Sequence, residues 1–340
     1  MPPPCPLSDD AIQSLLQQHV DIDRKGTGAV VALVHGDRHG IVCWGRRGIT
    51  DPRLVDEDTV FEIGSITKGL TGLLLSDMVQ RGEVSLTQSA TDSLPADVVI
   101  HDRNVRSISL LDLATHTSSL PPLPDNGGSY DPDNPYAAYT VGQLYAFLGT
   151  HHLGSRPGTG YEYSNLGAGL LGHVLSLRLG MDFEAALKER IFKPLAMPST
   201  GITLDASLSS RLAPGHDKAL RQVPNWDIPT LAGAGALRST ANDLLTFLRF
   251  ATGDHSSALA RSLSAQIAVR RPKGNQGDEV ALGWHVLPST GGELIRHNGG
   301  TGGYRSYLGF DRTHGTGVAA LSNGASLGGV DSLALAILGR

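Results

Sequence analysis

Cysteine is nearly absent from this chain: Cys5 and Cys43 are the only two in 340 residues. Two are too few for a disulfide framework and lack the paired spacing of a metal site, so both read as structural. Charge of one sign is not concentrated either. The formal net charge is −5 with no run of five like charges, which removes the electrostatic footprint of a nucleic-acid binder. Long apolar runs are missing as well. Stretches such as Leu70 to Leu75, broken by Thr71 and Gly72, fall far short of the roughly 20 residues that cross a bilayer, so no membrane span is expected. The first residues, Met1 to Pro6, hold neither a basic nor an apolar stretch and do not read as a signal peptide. That points to a cytoplasmic protein, or to a periplasmic or secreted one whose leader has been trimmed. There is no internal repeat and no low-complexity tract.

What is present is an ordinary globular composition, 40% hydrophobic and 18% charged, in a chain long enough for two lobes, since single cores stop growing near about 250–300 residues. Ser8, Asp9 and Asp10 look like a helix start, and Ile12, Leu15, Leu16 and His19 then recur on one face, predicting a helix from about 9 to 20. Ala29–His35 and Ile41–Gly45 read as a β-hairpin. Near the other end, strands are expected around Leu282–Leu287, Glu293–His297, Tyr304–Asp311 and Gly317–Ser322, then a helix over about 329–338. These pieces suit one antiparallel sheet with both terminal helices on a face. The middle is helical in pattern, with one stripe at Ile66, Leu70, Leu73 and Leu74 ending at Gly82 and another at Leu166, Leu170, Val174 and Leu177. The expected architecture is α/β plus all-α: an α/β lobe from residues 1–75 and 230–340, a mainly helical lobe from 76–229, and a cleft between them. Pro121 to Pro135, rich in Pro, Gly, Asp and Asn, reads as an ordered loop or flap.

Chemistry concentrates at Ser65 and Lys68. Three residues apart at a helix start, they share one face of that helix, and its N-terminus favours negative charge developing at a nucleophile. A desolvated lysine at that spacing can take or share the serine proton. Taken alone, the pair equally fits a capping serine beside a solvated lysine. Two further signals follow in order: Tyr163-Ser164-Asn165 at the head of the second helical stripe, and His297-Asn298-Gly299-Gly300 closing a predicted strand. The small residues after His297 would let a substrate lie against the strand edge, with the Gly300 and Ser65 N–H groups as an oxyanion hole.

In these motifs the sequence resembles the serine β-lactamase and penicillin-binding-protein superfamily, in the branch that includes class C β-lactamases, D-alanyl-D-alanine carboxypeptidases, D-aminopeptidases and β-lactamase-like esterases. The matching stretches are Phe61–Lys68, Leu113–Leu120, Tyr161–Asn165, Ala234–Thr240 and His297–Gly303. The resemblance implies a β-lactamase-like (DD-peptidase) fold, an acylated Ser65, a proton held or relayed by Lys68, and Tyr163 as general base and acid. Asn165 would orient Lys68 and touch substrate, with His297, Asn298, Gly299 and Gly300 along the substrate. No cofactor or metal is implied. Two departures shape the substrate expectation. The last motif reads HNG where many β-lactamases have KTG, and Pro121-Pro122-Leu123-Pro124 stands where class C enzymes usually carry a glutamine. Both favour a carboxylic ester or D-amino-acid amide over a β-lactam; a class C-like β-lactamase is the alternative, and a slow-turnover penicillin-binding sensor or an acyl transferase the reading from another class. Arg305 is the nearest cation that could replace the missing lysine, because Arg296 should point to the other face of its strand.

Other motifs carry blander readings. Gly324-Ala325-Ser326-Leu327-Gly328 fits GxSxG, yet only 14 residues follow Ser326 and none is histidine, so the α/β-hydrolase elbow is excluded. His151-His152 come without HExxH or CxxC and do not suggest a metal. His116 reads as a buried structural histidine.

Overall fold

The computed structural model describes residues 7–98, 100, 107–127, 131–253, 257–274, 277–289, 291–326 and 328–340. Cys5, the first six residues and part of the 121–135 loop lie outside them.

Runs from the two ends of the chain meet in one eight-stranded sheet. Its strands are β1 (Gly28–His35), β2 (Arg38–Gly45), β3 (Arg271–Pro272), β4 (Glu279–Val280), β5 (His285–Ser289), β6 (Gly292–Gly300), β7 (Arg305–Asp311) and β8 (Thr316–Ser322). They lie in the order β2-β1-β8-β7-β6-β5-β4-β3, every neighbour antiparallel. The β1–β2 hairpin is tighter than the sequence predicts: His35 pairs with Arg38, leaving a two-residue turn that Gly36 permits at φ +55°. The strand expected over Leu282–Leu287 starts only at His285, because Gly283 breaks it at φ +79°. The two-residue strands β3 and β4 carry no readable alternation, and Pro272 is tolerated on the edge.

Strand β1 is buried on both faces, which is why it reads as an unbroken apolar run. Ala29, Val31 and Leu33 pack with Ile12 and Leu16 of helix α1 (Asp9–Gln17) and with Val330 and Leu333 of the last helix. Val30 and Ala32 face the other way, into the large core that holds Phe247 and Leu248 of a helix over Ala241–Thr252. Both terminal helices therefore cover one face, as expected from the sequence. The helix α2 (Thr67–Gln80) is buried from Thr67 to Met78 on all sides, the pattern of a central helix. It ends where Gly82 takes φ +70°, and it runs through residue 75, so both lobes share it. Helix α3 (Asn165–Leu179) starts at the Ser164 cap, whose Oγ accepts from Gly167 N, and stops at Gly180 in the left-handed conformation. Among the described residues no helix is long and apolar enough to cross a membrane.

Candidate active site

Ser65 sits in a single tight turn, Gly64–Ile66, between the short strand Phe61–Glu62 and α2. The turn leans on the end of β6. Gly64 has φ +48°, and a Cβ there would lie 2.7 Å from Gly300 N; a Cβ on Gly299 would collide with Ile63 O. Ser306 Oγ, one strand over, donates to the same Ile63 carbonyl at 2.8 Å. Glycines at 64 and 299 are thus what let the serine turn meet the strand edge, and the Gly300 amide comes with it.

Lys68 is 2% exposed. Its Nζ lies 3.0 Å from Ser65 Oγ, 2.7 Å from Asn165 Oδ1 and 2.6 Å from Ala234 O. Three acceptors match the three N–H bonds of an ammonium. Burial with no carboxylate partner pushes the amine down to about 7, so it exchanges its proton near neutrality. The helix turn that carries it is braced from behind: a Cβ on Gly283 would strike Lys68 O, and a Cβ on Gly69 would strike the Trp284 ring.

Tyr163 OH lies 2.9 Å from Ser65 Oγ. Burial pushes its phenol up to about 12, the bond to Ser65 offsetting part of the shift, so it is a neutral donor. Its ring lies 4.5 Å from that of His116, 6.1 Å from His297 and 6.4 Å from His285, centroid to centroid, and Lys68 Nζ stands 4.9 Å from its centre. His116 is buried, holds φ +57°, and its Nδ1 accepts from Ser164 N at 3.1 Å; it props Tyr163 and fixes the start of α3.

His297 faces the same side, 2% exposed. Its Nδ1 lies 2.6 Å from Asn298 O. A carbonyl only accepts, so Nδ1 holds the proton, and Nε2 is a bare, buried acceptor without a partner. Burial, helped by the nearby His285 and Lys68, holds this imidazole well below its ordinary range. Asn298 turns the other way, its side chain hydrogen-bonding the Asp331 carboxyl on the terminal-helix face. Arg305 also departs from the expectation: it alternates with Ser306 and shares the face of Tyr307, which packs against the terminal helices. Its Nη1 donates to Thr301 O at 2.9 Å and Tyr304 O at 2.7 Å, binding its own turn instead of facing Ser65.

Some of the surroundings went unread in the sequence. The buried Glu62 accepts at Oε1 from Asn225 Nδ2 (2.9 Å), Trp226 N (3.0 Å) and Arg238 Nη2 (3.3 Å). It ties the strand before Ser65 to a loop more than 160 positions away, and only the sequence separation hid it. The carbonyl of Ala234 is a backbone group that no residue pattern could single out. Ser326 lies between β8 and the last helix, and His151 stacks on Phe147 at 4.6 Å. The Cys43 thiol is half-buried and pushed up to about 12 by burial. No group of three or more His, Cys, Asp or Glu side chains placed to hold a metal occurs among the described residues.

A serine hydroxyl between an amine that titrates near neutrality and a neutral phenol is built for acyl transfer, and the chain is a serine hydrolase of mixed sheet-and-helix architecture. The family model Beta-lactamase matches residues 12–338, and the chain belongs to that family. Among curated proteins it is 25% identical to a β-lactamase of Pseudomonas fluorescens, over 93% of this chain and 92% of that one. It is also 25% identical to the D-alanyl-D-alanine-carboxypeptidase/endopeptidase AmpH of Escherichia coli K12, over 85% and 77%. Among solved structures, a class C β-lactamase from Rhodobacter sphaeroides superposes with a TM-score of 0.82 at 23% identity, covering 97% of this chain and 98% of that one. A β-lactamase/D-alanine carboxypeptidase from Pseudomonas syringae superposes with 0.81 at 23% identity, covering 97% and 99%. The likeness confirms the β-lactamase-like fold.

Proposed function

We propose that the chain hydrolyses an uncharged carboxylic ester or a D-amino-acid amide through an acyl-enzyme on Ser65. The observation that carries this reading is Ser65 Oγ held between Lys68 Nζ at 3.0 Å and Tyr163 OH at 2.9 Å. In this reading neutral Lys68 takes the serine proton as Oγ attacks the carbonyl carbon, and the Ser65 and Gly300 amides receive the oxyanion. Tyr163 gives its proton to the leaving oxygen or nitrogen as that bond breaks, and the Lys68 ammonium restores it. Water then attacks the acyl carbon while the same pair takes its proton and returns one to Ser65 Oγ. Asn165 holds Lys68 in line. His297, Gly299 and Gly300 border the substrate, Asn298 through its backbone alone.

His297 supports the preference for uncharged substrates. A substrate carboxylate needs a donor or a cation, and His297 offers a bare Nε2 lone pair. A second reading, β-lactam hydrolysis or D-alanine release from a peptide, rests on the relatives named for those activities. Intact-protein mass spectrometry over time with p-nitrophenyl acetate, a penicillin and a cephalosporin separates these. The proposal expects a transient acetyl adduct on Ser65 with repeated p-nitrophenol release. A persistent penicillin adduct with no turnover of any substrate would instead mean a sensor, and no adduct on Ser65 would overturn the reading.

A further inference from the structure

The leaving group must take its proton from Tyr163, so it lies on the side of Tyr163 and His297. The acyl group needs a separate place. Ser65 opens on a cavity of about 290 Å³, part of it open to solvent, whose lining includes Tyr136, Asn165, Trp226, Ile228, Ala234 and Gly235 but not Tyr163. That is at the low end of pockets that take small molecules, roughly 300–1,000 Å³. None of its lining residues is charged.

Its far wall is fixed. The Trp226 backbone is held from both ends, its N–H by Glu62 at 3.0 Å and its carbonyl by Arg238 Nη2 at 3.0 Å. The indole is wedged against the turn after β6, where a Cβ on Gly302 would lie 2.7 Å from Nε1. The near wall comes from the flap that the sequence marks out at its Pro- and Gly-rich stretch. Tyr136 lies 5.5 Å from the Trp226 ring, centroid to centroid, and its phenol oxygen is 3.4 Å from Asn165 Nδ2. Beside this ring pair the two segments are latched by reciprocal bonds, Asn134 Nδ2 to Asp227 Oδ2 at 3.1 Å and Asp227 N to Asn134 Oδ1 at 2.8 Å.

We infer that Tyr136 and Trp226 close the acyl side of the site and restrict the enzyme to short, uncharged acyl groups such as acetyl and butyryl. The inference rests on the reading of Ser65 as the acylated residue and adds the acyl half of the substrate to it. A longer chain meets the ring pair and has to break the Asn134–Asp227 latch to pass, whereas an acetyl group fits beneath it. A charged acyl substituent finds no counter-charge in the lining.

The test is kcat/KM for p-nitrophenyl acetate, butyrate and octanoate, with wild type, Trp226→Ala and Tyr136→Ala. Wild type should favour acetate and butyrate over octanoate by roughly 10-fold or more, the scale at which an apolar pocket discriminates added methylenes. Either truncation should raise octanoate relative to acetate by a similar factor; two variants guard against one of them failing to fold, and a melting curve identifies that case. Wild type preferring octanoate, or a length profile that neither folded variant changes, would overturn the inference. Failure of the Ser65 reading looks different: a small phosphonate would then leave Ser65 unlabelled, whereas a labelled, active enzyme with a flat length profile condemns the acyl pocket alone.

Discussion

Lys68 and Ala234 are joined by the shortest of the three hydrogen bonds on the lysine, Nζ to carbonyl oxygen at 2.6 Å. Like that carbonyl, Asn165 Oδ1 can only accept, so two of the nitrogen's valences are committed in either protonation state. The remaining one points at Ser65 Oγ. It is an N–H when Lys68 is charged and a lone pair when it is neutral, which makes deprotonation of Lys68 the switch that arms the serine.

The pH profile follows from that switch. Because burial lowers Lys68 to about 7, kcat/KM for an activated ester should climb roughly tenfold per pH unit below that value and level off above it. Lys68→Arg keeps its proton throughout and should lose about 100-fold or more in acylation. A profile flat between about pH 6 and 8, or an arginine variant at wild-type speed, would show that another group takes the proton.

Much of this centre is legible in the sequence because its parts are local. Ser65 and Lys68 are one helical turn apart, Tyr163 and Asn165 bracket the Ser164 cap of α3, and His297 to Gly300 end a strand with visible alternation. The sheet is legible for the same reason, since β1 and β8 are unbroken apolar runs. What stayed hidden is non-local or made of backbone: the Glu62–Arg238 tie, the Ala234 carbonyl and the partnering of Tyr136 with Trp226. Facing was the other weakness. Nothing in the sequence says that Arg305 sits on the Tyr307 face, because that depends on the register Gly300 opposite Arg305.

Ser65→Ala should abolish turnover and phosphonate labelling, while Ser326→Ala leaves both near wild type, since Ser326 lies outside the pocket at Ser65. Tyr163→Phe removes one hydroxyl from a ring braced by His116. It should slow acylation by roughly 100-fold or more with little change in melting temperature. Peptide mapping that places the label on Ser326 would refute the assignment, and a fully active Tyr163→Phe would mean that Lys68 works alone.

Gly283→Ala tests the support behind the lysine. The site combines φ +79° with a Cβ position that would strike Lys68 O, so alanine is strained and must push α2 away. A loss of about 1–3 kcal/mol in unfolding free energy is expected, and the surviving folded enzyme should acylate more slowly as Nζ leaves Ser65. An unchanged denaturation midpoint would mean that the chain bends here at little cost.

The mechanism needs no Lewis acid, because Lys68 and Tyr163 carry every proton in it, so ester turnover should survive exhaustive chelation. Activity that vanishes with chelator and returns with zinc would contradict it.

His297 sets the last expectation, that short-chain p-nitrophenyl esters are hydrolysed faster than cephalosporins. A cephalosporin carries a carboxylate, and an anchor for it must donate or be charged. His297 does neither: its one N–H is spent on Asn298 O and Nε2 presents a lone pair, which repels an oxyanion. Acidification offers no escape. The imidazole is held well below its ordinary range by burial and by neighbouring His285 and Lys68, so it stays neutral across about pH 6 to 8, and the ester-to-cephalosporin ratio should not move through this residue. His297→Lys places a cation at the same strand position and should raise cephalosporin turnover relative to ester turnover by roughly 10-fold or more, the scale of one charged anchor gained. The lysine would also sit close to Lys68, so its arrival should lower the Lys68 pKa and move the pH profile to the acid side. Cephalosporins outrunning esters in the wild type, or a ratio that His297→Lys leaves unchanged, would remove His297 from substrate selection and put β-lactam hydrolysis first.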